Sequence, residues 1–321
     1  MADLAVVIVS TNEAHWLRPC LTTVFEHAGD AELDVVVADN SSTDGTRELV
    51  ESEFPLARVV TCVNHGFGHA NNSAYLTTDA PAVLFLNPDT EVLEGSFSDL
   101  LTDLERRADV GVIGVRQVMP DGELFPTIRR FPTVMRFLGD ALAAERLPVN
   151  PSWLGERVLD MRLYERETEC DWVSGSFMLV RREALEASGM FDERFFVYSE
   201  EVDLCRRIKD AGWRVVHLPT MTIVHHANKA LWSSRVWAQS AFARRQYVTK
   251  HFAAPTRGAA LGAMALRFGV RALLPGSSAR RVASREALAT LLGRRPPPFE
   301  APPSQALWPR ETSIARPGVR L

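Results

Sequence analysis

The chain has 321 residues and almost no lysine: Lys209, Lys229 and Lys250 stand alone among 36 basic residues. Because no lysine precedes Lys209, the first two-thirds of the sequence cannot hold a Lys-bearing phosphate loop. Glycine is missing from the first strand-to-helix turn, which reads Ser10-Thr11-Asn12-Glu13. That excludes a dinucleotide fingerprint or a P-loop there and argues against a nucleotidyltransferase that handles a triphosphate. The four cysteines, Cys20, Cys62, Cys170 and Cys205, lie far apart and form no metal-spaced pair. Each sits in an apolar pattern, as reduced core thiols in the cytosol do. No apolar run reaches bilayer-spanning length, and Met1-Ala2-Asp3 runs into a strand without the basic stretch of a secretory leader. The expectation is a cytoplasmic protein.

Acid is missing from one region. Arg235 to Arg295 holds 12 lysines and arginines with Glu286 as its one acid, so the remainder of a chain totalling −4 sums to −15. The pattern from Lys229 to Leu292 is helical and basic, which defines an expected extension at 229–293. Residues 294–321 are rich in Pro and Arg, and are expected to be disordered. A charge run is usually a solvated face. Here Leu261, Met264, Ala265, Phe268 and Leu273 interleave with Arg257, Arg267 and Arg271, as in an interfacial helix. Peripheral association with the anionic inner face of a membrane is therefore the second reading. No nucleic acid is expected, since no aromatic-basic interleaving on strands accompanies the charge.

What is present is a regular alternation. Leu4–Ser10, Asp34–Ala38, Arg58–Val63 and Val83–Asn87 read as buried strands, with helical patterns between them. Such βα units indicate a parallel sheet covered on both faces. Phe97–Leu104 reads as a further helix and Val110–Val115 as a strand. Pro120-Asp121-Gly122 is a turn able to close a hairpin. Residues 130–168 are weakly patterned. Regularity returns with a strand at Phe177–Val180, helices at Arg182–Ser188 and Glu201–Ala211, and short strands at Arg214–Leu218 and Thr222–Val224.

Chemistry-bearing residues gather at strand ends, where open α/β sheets bind ligands. Val83-Leu84-Phe85-Leu86-Asn87-Pro88-Asp89 ends on a proline that cannot extend the ladder, leaving Asp89 placed for a hard divalent cation on a diphosphate or simply as a turn cap. Asp39 ends the second strand and can accept from a base or ribose, or cap its own turn. Asn64-His65-Gly66-Phe67-Gly68-His69-Ala70-Asn71-Asn72 crowds small and amide residues into one loop. Ser199-Glu200-Glu201-Val202-Asp203 opens a helix with three carboxylates beside Phe195, Phe196 and Tyr198. Acids favour a first turn for dipole reasons alone, but an apolar surrounding raises a carboxylate pKa and suits a general base. His225 and His226 end a strand, and imidazole is a common metal ligand.

These segments, from Val6–Asn12 through Val35–Thr46, Asn64–Asn72, Leu86–Val92 and Trp172–His226, resemble the family-2 inverting glycosyltransferases of the GT-A fold, near their rhamnosyltransferase-like branch. The most specific block is Gly189-Met190-Phe191-Asp192-Glu193-Arg194-Phe195-Phe196-Val197-Tyr198-Ser199-Glu200-Glu201-Val202-Asp203-Leu204-Cys205. The resemblance implies a Rossmann-like, mostly parallel sheet over 1–228, with a nucleotide-binding part to about 115 and an acceptor part from 116, followed by the helical extension. It implies a donor site at Ser10, Thr11, Asn12, Asp39, Asn64, Gly66, Asn72, Asn87 and Asp89, and an acceptor side at Trp172, Ser174 and Gly175. Asp89 and His225 would hold Mg²⁺ or Mn²⁺. Glu201, Glu200 and Asp203 form the catalytic cluster, with Glu201 where the family usually carries an Asp and Glu200 its rival. The implied donor is a dTDP- or UDP-sugar, rhamnose first, and the implied acceptor is a glycan or a lipid-linked sugar. Three positions depart from the family pattern: Asn87 replaces a frequent metal-binding Asp, Thr11 a frequent Tyr, and Glu201 is one methylene longer than usual. A nucleotide-sugar-binding or scaffold protein without turnover is the alternative.

Overall fold

The computed structural model describes residues 1–144, 151–226, 233–274 and 277–300. Strands β1 (Leu4–Ser10), β2 (Leu33–Asn40), β3 (Ala57–Cys62) and β4 (Ala82–Leu86) lie parallel in the order β3-β2-β1-β4. Helices α1 (Ala14–Glu26), α2 (Thr46–Glu53) and α3 (Phe67–Tyr75) connect them. Every residue of β1 is buried, as expected of a strand covered on both faces. Alternate residues feed two cores. Val7, Val36 and Phe85 pack with α3 on one face, while Val6, Val37 and Leu84 pack with Leu17, Leu21 and Val24 of α1 on the other.

Beyond β4 the sheet becomes mixed. The elements in order are β5 (Thr90–Glu94), α4 (Phe97–Glu105), β6 (Val110–Val118), α5 (Val134–Ala141), a 3₁₀ turn at Met161–Glu165, β7 (Thr168–Glu169), β8 (Phe177–Arg181), α6 (Arg182–Ser188), α7 (Glu200–Asp210) and β9 (Arg214–His225). β8 inserts antiparallel between β4 and β6, and β9 runs parallel to β6 and antiparallel to β5. The two short strands read at 214–218 and 222–224 are therefore one. Its partner register jumps from Leu218 to Thr222, so Pro219, which has no N–H, falls in the bulge. The hairpin at Pro120-Asp121-Gly122 closes, with Val118 bridging Leu124.

The extension forms α8 (Ser234–His251), α9 (Ala254–Leu273) and α10 (Ser278–Leu291). The packing turns most of the residues singled out for an interfacial helix inward. Met264 and Phe268 are buried against Phe137 of α5 and Leu291 of α10, while Arg267 and Arg271 turn onto Asp140 at 2.8 and 3.8 Å. Of the apolar residues singled out, Leu273 is the one exposed, joined outside by Leu266, Leu274 and Val282. A 3.6-residue stripe reports that a helix is amphipathic, not which surface its apolar side meets. Within residues 294–300, read as the start of a disordered tail, Arg294 and Arg295 contact α10 and Phe299 meets α8: its ring stacks on Phe196, and its N–H donates to Gln239 Oε1. Residues 301–321, the rest of that tail, and Lys229 lie outside the described residues.

Candidate active site

The parallel order brings the carboxyl ends of β1, β2, β3 and β4 to one edge. Ser10 lies beside Asp39, and Asp39 beside Thr61. Asn40, which the sequence reading passed over, joins three of the strand-end loops: its side-chain N–H groups donate to Thr11 Oγ1 at 3.2 Å and Asn64 Oδ1 at 3.1 Å. Asp39 is nearly buried and uses Oδ1 to cap its own turn, accepting from Ser42 N–H at 2.9 Å. Asn12 adopts a positive φ and accepts from Thr43 N–H at 2.7 Å, which fixes the first loop to the second.

Two residues expected at the donor do other work. Asn72 is buried; it donates to Phe191 C=O and Glu193 Oε1, and accepts from Phe191 N–H. Its amide is spent on holding the segment that leads into α7. Gly66 has φ +106, and a Cβ there would overlap the Phe196 backbone. Phe67 N–H donates to Phe196 C=O at 2.7 Å across this close approach. Here glycine serves chain contact, not a ligand.

Asn87 holds the end of β4, its N–H donating to Ser176 C=O at 3.0 Å. Asp89 faces His225, with Oδ1 3.4 Å from Nε2, because β5 and β9 pair Thr90 with His225. Burial penalises the Asp89 charge, but the adjoining His225, with His226 beyond it, outweighs this and holds the carboxyl below its usual range. Glu13 is pushed up to about 7 by burial and by the charges of Asp89 and Asp44. The Nδ1 of His225 is buried without a partner. An imidazole facing a carboxylate, next to a carboxyl disfavoured as an anion, fits a divalent cation at Asp89 and His225. Among the described residues no group of three or more His, Cys, Asp or Glu surrounds that point. His226 instead contacts Glu91 at 2.6 Å and lies against Trp16.

Next to this pair opens a cavity of about 720 Å³. Its wall includes His225, Glu201, Trp172, Ser174, Arg129 and Arg244. Gly175 backs it, passing close to Glu201 Cβ. Glu201 is raised above the ordinary carboxylate range, chiefly by burial, and the positive charges of Arg129 and Arg244 oppose that rise. Glu200 does not line the cavity; burial and the neighbouring Glu201 push it well above its usual value. Tyr198 and Ser199 precede the pair with φ of 73 and 68, left-handed values costly for non-glycine residues.

The structure moves Asp203 out of the reacting cluster. It is fully buried and is met by His251 at 2.7 Å, Lys250 at 2.6 Å and Arg207 at 2.8 Å. It ties α7 to α8. The sequence reading missed Arg129, Arg244, Glu156 and Tyr247, which also border the cavity. Glu156 lies in the weakly patterned stretch and Arg129 just before it. The two on α8 sat in a basic run taken for solvated surface, although Tyr247, Lys250 and His251 share one helical face.

Residues 5–189 match the profile described as Glycosyl transferase family 2. The chain belongs to that family. This glycosyltransferase is 32% identical over 277 residues to the N-acetylglucosaminyl-diphospho-decaprenol L-rhamnosyltransferase of Mycobacterium tuberculosis, covering 81% of this chain and 89% of that one. It is 27% identical to the rhamnosyltransferase WbbL of Escherichia coli, covering 70% of this chain and 83% of the relative. Among solved structures, the mannosyltransferase PcManGT of Pyrobaculum calidifontis superposes with a TM-score of 0.54 at 19% identity, over 92% of this chain and 82% of that one. The TarS 1–349 fragment of S. aureus gives 0.56 at 15% identity, over 92% and 81%. Both neighbours carry the same fold.

Proposed function

We propose that this glycosyltransferase moves rhamnose from a pyrimidine nucleoside diphosphate, a dTDP- or UDP-sugar, to a hydroxyl of a lipid-linked or glycan acceptor, with inversion. The observation that carries this reading is the placing of Glu201 in the wall of a cavity that also reaches His225 beside Asp89. The relatives named as rhamnosyltransferases supply the sugar.

In this reading Ser10, Thr11, Asp39, Asn64 and Asn87 line the donor edge. The acceptor hydroxyl enters from the cavity, past Trp172, Ser174 and Gly175. Glu201 accepts its proton as the oxygen attacks the anomeric carbon in line, the bond from that carbon to the diphosphate breaks, and the diphosphate leaves with the electron pair. Burial makes Glu201 a stronger base, and the positive charges of Arg129 and Arg244 favour its ionised form. Asp89 and His225 would hold the Mg²⁺ or Mn²⁺, which supplies Lewis-acid stabilisation of the leaving diphosphate. PcManGT is described with GDP-Man and Mn²⁺. A binding protein without turnover would not need a carboxylate raised in pKa in the acceptor cavity.

Among the described residues no helix is long and apolar enough to cross a membrane. A lipid-linked acceptor would instead be met at the membrane surface, through Leu273, Leu274 and Val282 with Arg280 and Arg285, all exposed.

A melting-temperature screen of nucleotide sugars with Mg²⁺ or Mn²⁺, followed by product analysis, tests the proposal. A donor at ~100 times its Kd adds ~2.7 kcal/mol to stability. The expected winner is a pyrimidine rhamnose donor; a purine donor winning removes Asp39 from base recognition.

A further inference from the structure

Glu201 follows a turn that its surroundings have to hold. Tyr198 and Ser199 carry φ of 73 and 68. Left-handed values in two successive non-glycine residues persist only where neighbouring contacts over-determine the backbone. On the donor side, Gly66 lies against the Phe196 backbone, and Phe67 N–H donates to Phe196 C=O at 2.7 Å. The other side is supplied by α8 and by the chain beyond α10.

Arg235, Gln239, Gln246 and Lys250 are spaced by four, seven and four residues, which puts them on one face of α8. That face follows the chain that leads to Glu201, alternate residue by alternate residue. Lys250 meets Asp192 at 2.7 Å, and Gln246 donates to Arg194 C=O at 2.9 Å. At Phe196 the row continues through Phe299. The two rings stack, with centres 5.4 Å apart and planes 14° from parallel. Phe299 is itself held by α8. The Arg235 guanidinium lies 4.9 Å from the centre of its ring and donates to Pro298 C=O. Buried Gln239 accepts the Phe299 N–H at 3.2 Å. An aromatic stack and a cation over a ring together match the strain of one left-handed residue in size. The strained turn begins two residues after Phe196.

We propose that Phe299 is a positioning residue for sugar transfer: its stack on Phe196 holds the left-handed turn that sets Glu201 in the cavity wall. This rests on the reading of Glu201 as the base. Phe299 acts through the backbone from Phe196 to Ser199, not on the substrate. The segment after α10 is in this way part of the machinery that the sheet and α7 begin.

The test compares Phe299→Ala, Phe299→Leu and Phe299→Tyr in the full chain, well below the melting temperature of each. Phe299→Ala should lower kcat by roughly 10- to 100-fold, the cost of a misplaced catalytic group. Donor KM should hold, because Asn40 ties the donor-edge loops through Thr11 and Asn64. Phe299→Leu keeps apolar volume without a stacking plane, so it should share the loss and carries the test if the alanine variant does not fold. Phe299→Tyr keeps the ring and should retain kcat. Amide hydrogen exchange reads the same support without turnover, and should quicken across residues 197–203 in the alanine and leucine variants. Wild-type kcat in Phe299→Leu, unchanged exchange across those residues, or a tyrosine variant as slow as the leucine one overturns the proposal. A wild type that transfers no sugar, with exchange responding as expected, overturns the functional reading instead.

Discussion

His251 Nε2 lies 2.7 Å from Asp203 Oδ1, and this contact fastens the helical extension to the helix that presents Glu201. Lys250 and Arg207 complete the shell around the same carboxylate. Burial penalises the Asp203 charge, but His251, Arg207 and Lys250 outweigh it and hold the group below its ordinary pKa. A depressed carboxyl contributes stability that is present above its unfolded value, about 3.9, and lost as pH falls through the lower folded value. Asp203→Asn should therefore cost about 3–5 kcal/mol at neutral pH, as loss of a buried ionic partner does. It should also flatten the acid side of the stability profile. Urea titrations of both proteins at a series of pH values measure this.

Glu201→Gln keeps shape but cannot take a proton. The expected loss in kcat is ~10²–10⁴-fold, with donor Kd unchanged because the interaction matters in the transition state. Burial raises Glu201, so the wild-type acidic limb should lie above the ordinary glutamate value, activity falling as pH drops through it. That limb should vanish in the variant.

Glu200→Gln should be nearly silent. Burial and the neighbouring Glu201 disfavour the Glu200 anion, and the amide replaces that carboxyl without adding a charge. Steady-state rates decide between the two glutamates: a dead Glu200→Gln with an active Glu201→Gln would make Glu200 the base.

Asp89→Ala should abolish divalent-dependent donor binding and lower the melting temperature modestly, since it also removes the carboxylate that faces His225. Calorimetric titration of Mn²⁺ in the presence of nucleoside diphosphate is the check. An unaltered isotherm moves the metal elsewhere.

Asn72→Ala separates a structural tie from a ligand contact. It strands Phe191 N–H and C=O in a buried setting, a loss of about 1–3 kcal/mol. Denaturation should show that loss, and donor Kd should change little.

The half of the fold built from local repeats was legible in the sequence. β1, β2 and β4 carry apolar runs, and each leads to a polar residue at the sheet edge, so Ser10, Asp39 and Asp89 could be placed together. The insertion of β8 between β4 and β6 was not legible, since antiparallel pairing over nearly a hundred residues leaves no periodic trace. Glu201 was found because three acids at one helix start exceed what the helix dipole asks for. Asp203 was misplaced for the same reason: its own partners, Lys250 and His251, lie on a helix far along the chain. Arg129 and Arg244 meet only in space, and neither carries a motif of its own.

The tie between Asp203 and His251 also bears on how such enzymes can be recombined. Cutting after β9 and grafting another helical tail would remove the partners of Asp203 and part Arg244 from Glu156 in one stroke. The cavity beside Glu201 is thus built from discontinuous pieces of the chain. A working chimaera has to exchange the segments between β6 and β8 together with α8, or carry a matched carboxylate and cation pair across the junction.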